Sequence, residues 1–378
     1  MYILNKEQEK LKAEVRAFTD REVIPSASEY DQGGVFPLPL VRRCGELGFT
    51  GEALTSSGRY DAVKMCIVLE ELSRGSASLA LALLPQYLSC DILSAAGGKA
   101  ELLSRGFTLE TLFGYAISEE SGGSDVLGID TTAIYDGGEW VLNGSKSWIT
   151  NAGSAEGYIV AARTALTGRS RNMSLFFVDA AAEGLTANVT DALLGVNSCP
   201  HGTLTFTNCR IPGESIIGDE DAGYRLLKPT LLAGRLGVSA IAVGIAKRSL
   251  ELAAAYATNT GKYGRNLSSY QGISFMLADM YAKTAAAKSA VYSAAEQYMH
   301  HTPHAAVSVA AAKLMSTELA CEITKSARQV HGANGLSRAF EVERCFRDAQ
   351  MLTIAEGTSE ICKIIISNAV TSGGELPI

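Results

Sequence analysis

The spacing of apolar residues changes twice along this chain, and no fold built from one kind of secondary structure can satisfy both changes. Through residues 1–112 the spacing is helical. Leu11, Val15 and Phe18 form one stripe, which Pro25 is expected to stop, and Val63, Cys66, Ile67, Leu69 and Leu72 form another. Through residues 113–222 short strand-like runs take over: Thr132–Tyr135, Glu139–Leu142, Lys146–Thr150, Tyr158–Ala161, Leu175–Val178 and Leu204–Thr207. Asp136-Gly-Gly138 reads as a hairpin turn, and Asn143-Gly144 as a second tight turn. Through residues 223–378 the helical spacing returns in Ala-rich segments such as Ala240–Ala246 and Ala305–Leu314, whose small side chains let helices pack closely. The order predicts an α+β multidomain chain: an N-terminal helical domain, a central small β-barrel or sandwich, and a C-terminal four-helix bundle.

Composition narrows the function. Apolar residues make up 47% of the 378 residues and charged residues 19%, enough core to exclude a largely disordered chain. The net charge of −7 disfavours nucleic acid and anionic membranes, which are held mainly by neutralising phosphate. The eight cysteines are scattered, without a C-x-x-C pair or a His at ligand spacing, and read as buried reduced thiols with no metal site. The first 18 residues lack an apolar signal core, and the longest apolar stretch, Leu79–Leu88, carries Pro85 and Gln86. A cytoplasmic protein with no membrane segment is expected.

The chemistry concentrates in three places. Gly114-Tyr-Ala-Ile-Ser-Glu-Glu-Ser-Gly-Gly-Ser-Asp125 sets a glycine pair among hydroxyls and acids, a loop whose N–H groups suit an anion, although a loop like this taken alone is more commonly an ordinary turn. Trp148-Ile-Thr150 follows one hairpin later. Gln329-Val-His-Gly332 and the run from Arg347 through Ala355-Glu-Gly-Thr358 to Glu360 close the series.

With these motifs in order, together with Asn143–Thr150, Gln271–Asp279 and Val342–Glu360, the chain resembles the acyl-CoA dehydrogenases over nearly its whole length. The resemblance implies bound FAD and oxidation of an acyl thioester. Glu356 would remove the α-proton while the flavin takes hydride from Cβ, and burial would raise its pKa toward neutrality. The backbone N–H of Glu356 would polarise the thioester carbonyl. Gly357 gives room for a ligand, and Ser359 is expected to cap the next helix. Tyr115, Ile117 and Ser118 match residues lining the flavin ring, Trp148 and Thr150 those on its other side, and Ser124 a hydroxyl near the pyrophosphate. Lys262, Tyr263, Gln271 and Thr358 match further FAD contacts. Gln329 and Gly332 match the loop that receives the ADP end from a neighbouring subunit, implying a homodimer or homotetramer; His331 is read as a structural histidine. On the substrate side stand Arg235, Ala355 and Gly357, with Leu84 and Tyr87 as lining residues that core packing explains equally well. An electron-transferring flavoprotein or oxygen would take the electrons onward.

The pattern breaks at four positions. The family's pyrophosphate Arg falls on Thr260, with Lys262 as a substitute charge, and a loop Gly becomes Ala333. The Asp of a pantetheine contact falls on Leu232, and the bulky residue before the base becomes Ala355. The last two lead to the expectation that the thioester is borne by an acyl carrier protein in place of CoA. Two other readings compete: a reduced-flavin monooxygenase of the same fold, against which Glu356 argues, and a degenerate binding subunit, to which Thr260 and Ala333 lend weight.

Overall fold

The computed structural model describes residues 2–51, 60–164, 172–190 and 193–372. Met1 and residues 373–378, at the outer ends of the first and third regions, lie outside them. The chain begins with helix α1 (Lys6–Phe18), started by a reciprocal cap in which Asn5 and Gln8 exchange side-chain and backbone hydrogen bonds. Gln8, Leu11, Val15 and Phe18 form its buried face. Pro25 does not stop it. The chain passes through a π-turn at Thr19–Val23 into α2 (Ile24–Gly33) without leaving helical geometry, and Pro25 is the second residue of α2. Next come α3 (Leu38–Glu46), α4 (Ala62–Ser73), α5 (Ala77–Ala96) and α6 (Ala100–Phe107).

Helix α5 corrects the reading of Leu79–Leu88: Pro85 and Gln86 lie inside one helix of 20 residues. By length and composition it and the first C-terminal helix, α7 (Gly223–Asn259), could cross a membrane. Their most apolar windows are 83% and 78% buried within the protein, so their apolar character goes into its core.

The central region contributes β1 (Phe113–Ala116), β2 (Thr132–Asp136), β3 (Glu139–Thr150), β4 (Gly157–Arg163), β5 (Met173–Asp179), β6 (Leu185–Val189), β7 (His201–Pro212) and β8 (Ile216–Ile217). They form one sheet in the order β6-β7-β3-β2-β4-β5-β8, with β1 pairing parallel to β4. Strands β2 and β4 meet at a single register pair, Thr132 with Arg163, so the sheet can fold over on itself at that seam. Trp140 of β3 then packs on Phe176 of β5, ring centroids 5.1 Å apart, inside a core with Leu142, Ile149, Tyr158, Leu204 and Phe206.

The turn at Gly137-Gly138 joins β2 to β3 with both residues at positive φ. Asn143-Gly144, in contrast, is not a turn. Strand β3 runs on through it, with a register shift against β7 between Leu142 and Gly144. Gly144 has φ 138°, and any side chain there would strike Thr131. Asn143 holds the bulge by accepting the N–H of Asn208 at 2.8 Å.

Helix α7 leads into a two-residue β-hairpin, β9 (Gly261–Lys262) and β10 (Arg265–Asn266), then α8 (Gln271–Met299), α9 (Ala305–Val330), α10 (Val342–Leu352) and α11 (Ser359–Thr371). Helices α7, α8 and α9 pack on one another, and α10 and α11 lie against α9. Cores of the two helical regions merge into one cluster reaching from Leu11 to Leu352. Two helical layers with a folded sheet between them in sequence is the architecture expected.

Candidate active site

Glu356 lies in the short connection between α10 and α11, with its backbone at φ 54° and Gly357 beside it at φ 98°. A non-glycine residue in the left-handed region is strained and persists only when its surroundings hold it there. The helix that follows starts one residue earlier than expected. Thr358 is its N-cap, accepting from the Ile361 N–H, while Ser359 is the first helical residue and donates its hydroxyl to Glu318 at 2.6 Å. The cap assigned to Ser359 therefore belongs to Thr358.

The Glu356 side chain points at α7. A methyl group on Gly234 would lie 2.7 Å from its carboxyl carbon and overlap one carboxylate oxygen, so a side chain at 234 would displace the carboxylate. Arg235 lies beside Gly357, and its Nε is buried with no partner among the described residues. Lys313 of α9, fully buried, acts on the same carboxylate through its charge. Burial pushes the Glu356 carboxyl up to about 7, while the charges of Arg235 and Lys313 pull it down. The Glu356 backbone N–H donates to no acceptor among the described residues.

Tyr115 of β1 reaches the same neighbourhood. Its hydroxyl lies 2.9 Å from Thr230 Oγ1 on α7, and burial together with the Glu356 charge drives its pKa upward. Ile117 is buried, and its carbonyl accepts from Lys146 Nζ at 3.1 Å. Lys146 also meets Glu119 at 2.7 Å, an ion pair shut away from solvent. The Ser118 carbonyl accepts the N–H of Ser147 at 2.9 Å, so the two stretches expected to line a flavin are tied side by side.

Trp148 stands at a second bulge of β3, φ 61°, with its indole 66% exposed. Thr150 lies at the end of the strand, its hydroxyl 3.2 Å from His201 Nε2. His201 Nδ1 is 2.8 Å from the Cys199 carbonyl, which places the proton on Nδ1 and leaves Nε2 to accept from Thr150. An exposed indole on strained backbone, the hydroxyls of Ser118 and Thr150 and the ring of Tyr115 make a donor set suited to a flat heteroaromatic ring, so these residues fit a flavin.

A small cavity between α4, α5, α7 and α8 is lined by residues including Met65, Tyr87, Leu88, Asp91 and Ala233, the last adjacent to Gly234. Tyr87 thus lines a cavity, while its hydroxyl donates to the Phe49 carbonyl at 3.0 Å. Leu84 does not line it; its side chain packs against Gly237 of α7. Ala355 is partly buried against the helical core, as is Leu232.

The remaining expected FAD residues lie elsewhere on the surface. Lys262 and Tyr263 occupy the β9–β10 hairpin, with Tyr263 97% exposed, and Gln271 starts α8. Gln329 is the penultimate residue of α9, and Gly332, φ 60°, opens the turn after it. Ser124 is exposed in the loop before β2. Among the described residues no hydrogen bond joins this group to Glu356. His331 is buried, its Nδ1 2.8 Å from the Ala327 carbonyl and its ring 4.3 Å from that of Tyr256.

Sequence reasoning missed Gly234, Lys313 and His201. The one signal was Lys313 itself, a cation inside the small-residue run from Ala305 to Leu314.

A helical layer, a folded sheet and a helical bundle, with one buried carboxylate at the meeting point of bundle and sheet, define a three-domain dehydrogenase architecture. Three family models match it in order: acyl-CoA dehydrogenase N-terminal domain over residues 5–105, middle domain over 114–209 and C-terminal domain over 221–371. The chain is 35% identical over 377 residues to a probable acyl-CoA dehydrogenase of Mycobacterium tuberculosis, covering 98% of this chain and 97% of the relative. It is 34% identical over 365 residues to the mitochondrial short-chain specific acyl-CoA dehydrogenase of Rattus norvegicus, covering 94% and 88%. Butyryl-CoA dehydrogenase from Megasphaera elsdenii superimposes with a TM-score of 0.93 at 29% identity, covering 98% of this chain and 99% of that one. A glutaryl-coenzyme A dehydrogenase in complex with glutaryl-CoA gives 0.93 at 31%, covering 100% and 98%. The chain belongs to the acyl-CoA dehydrogenase family, oxidoreductases acting on acyl-CoA. FAD is the family's cofactor, and one structural neighbour, from Mycobacterium smegmatis, is in complex with FADH2.

Proposed function

We propose that this protein dehydrogenates an acyl-CoA across Cα–Cβ, with Glu356 as the base that takes the α-proton. The observation that carries the proposal is the Glu356 carboxyl, raised by burial to about 7 and aimed across α7 from a strained backbone. A base with its pKa near the working pH is half ionised there and holds a removed proton well. The Glu356 N–H, without an acceptor among the described residues, would receive the thioester carbonyl as negative charge develops on it. FAD, when bound, supplies the acceptor for the hydride from Cβ. Tyr115, Ser118, Trp148 and Thr150 would hold its ring, and Lys262, Tyr263, Gln271, Gln329 and Gly332 would serve its other end from a second copy of the chain. The electrons would then pass to an electron-transferring flavoprotein in the cytoplasm.

The relatives named above act on CoA esters, which supports CoA as the carrier. The reading with a carrier protein rested on Leu232 and Ala355, and both pack against the helical core. Anaerobic flavin bleaching, tried with matched straight-chain acyl-CoA and acyl-carrier-protein thioesters, tests the proposal. Bleaching by CoA esters is expected; bleaching by the carrier-borne esters alone would reassign the substrate, and bleaching by neither would refute the dehydrogenase reading.

A further inference from the structure

We propose that helix α9 positions the base: Lys313, through the Thr353 carbonyl, and Glu318, through the Ser359 hydroxyl, together hold the connection that presents Glu356. The proposal rests on the reading of Glu356 as the base.

The two anchor points bracket the carboxylate, Thr353 three residues before it and Ser359 three residues after. Lys313 Nζ donates to the Thr353 carbonyl at 3.0 Å. The same carbonyl accepts the backbone N–H of Ser359 at 3.0 Å, which closes the connection into a loop with Glu356 at its apex. Glu318 Oε1 accepts the Ser359 hydroxyl at 2.6 Å. Further along α9, the Cys321 thiol lies 3.5 Å from the Ala349 carbonyl and ties down α10. One helix therefore grips the chain on both sides of the base.

Two consecutive residues in this loop, Glu356 and Gly357, have positive φ. Glu356, the non-glycine member, relaxes from that region unless its surroundings over-determine it, and the bracket supplies that constraint. Lys313 also calls for an explanation in its own right. It is fully buried, where an ammonium is costly and a methionine would fill the same volume. A purely structural anchor would not need a charge.

The charge acts on the base as well. The groups facing Glu356 are Arg235 from α7, Lys313 from α9 and Tyr115 from β1. Those facing Lys313 are Cys362 from α11, Glu356, Arg235 and Glu318. Burial lowers the Lys313 pKa while Cys362 and Glu356 raise it. Removing the cation takes away one of two influences that favour the Glu356 carboxylate, so the base would titrate at higher pH.

The test is the pH profile of the FAD-loaded enzyme, with an acyl-CoA that it oxidises and a dye acceptor, for Lys313→Met, Lys313→Arg, Ser359→Ala and Glu356→Gln. Lys313→Met is expected to lose about tenfold or more in kcat, since small displacements of a catalytic group are costly, and to shift the acid limb of kcat/KM to higher pH. Lys313→Arg, which keeps charge and donor, should recover most of the rate and return the limb. Ser359→Ala should lower kcat several-fold and leave the limb in place. Wild-type kcat and limb in Lys313→Met would overturn the proposal; should that variant fail to fold, wild-type kcat in Ser359→Ala would do so. Glu356→Gln separates the two claims. If it is inactive while the Lys313 and Ser359 variants behave as wild type, only the positioning role falls; if it keeps full rate, the base assignment falls first.

Discussion

Gly234 and Glu356, far apart in the chain, meet so closely that a methyl group on residue 234 would lie 2.7 Å from the Glu356 carboxyl carbon. The carboxylate occupies the space a side chain would take on α7. Gly234→Ala removes that space while favouring the helix locally. Its kcat/KM is expected to fall about a hundredfold, since the reacting group must move, with helix content retained. Steady-state kinetics beside circular dichroism check this; wild-type kinetics would show that the carboxylate points elsewhere.

The pH dependence follows from the same carboxyl. As the proposed base, Glu356 would act only when ionised, so kcat/KM should rise with pH and level off above about 7. Stability should run the other way. The folded pKa lies above the ordinary carboxylate value, so the folded state holds the proton more tightly. That contribution is full at pH below about 4.5 and is lost as pH rises through about 7. Glu356→Gln carries no charge and should gain in melting temperature relative to wild type between about pH 5 and pH 8. Thermal melts of both proteins across that range decide it; a constant difference would place the carboxyl in ordinary surroundings.

Lys146 and Glu119 form the buried pair that joins the loop after β1 to strand β3. Lys146 meets Glu119 at 2.7 Å and the Ile117 carbonyl at 3.1 Å, and Glu119 accepts the Asp130 and Thr131 N–H groups at 2.6 and 3.0 Å. Burial holds the Lys146 pKa down at about 8 against the pull of Glu119. Lys146→Met strands a buried carboxylate and should cost about 3–5 kcal/mol. Urea denaturation measures it, and a loss below about 1 kcal/mol would make this an ordinary surface-like pair.

Much of this was legible in the sequence. The switch from helical spacing to short strands and back fixed the order of layers, because each period dictates which faces must be buried. Glu356 and Trp148 were found by motif, and both prove to sit at positive φ. What failed were features set by distant partners. Asn143-Gly144 has the composition of a turn but is a bulge, since β7 and Thr131 continue the pairing across it. Pro25 has the signature of a helix end but starts the next turn. Ser359 was read as a cap because α9, which supplies its acceptor Glu318, cannot be placed from local spacing. Gly234, Lys313 and His201 join the candidate site only through contacts that the folded chain creates.

Trp148 tests the flavin assignment without touching the base. Its indole is 66% exposed, so Trp148→Ala should change the stability of the FAD-free protein by no more than about 0.5 kcal/mol. FAD affinity should nevertheless drop about tenfold or more, since a stacked aromatic contributes about 1–3 kcal/mol to a planar ring. Fluorescence titration of the FAD-free variant measures it, and unaltered affinity would remove Trp148 from the cofactor site.

The central claim, that the carboxylate of Glu356 takes the α-proton, is tested most directly by stopped-flow bleaching of the flavin in Glu356→Gln, without oxygen, with an acyl-CoA that bleaches the wild type. The amide keeps the shape and removes the base, so the rate should fall at least about a thousandfold while FAD stays bound. Bleaching at the wild-type rate would contradict the account.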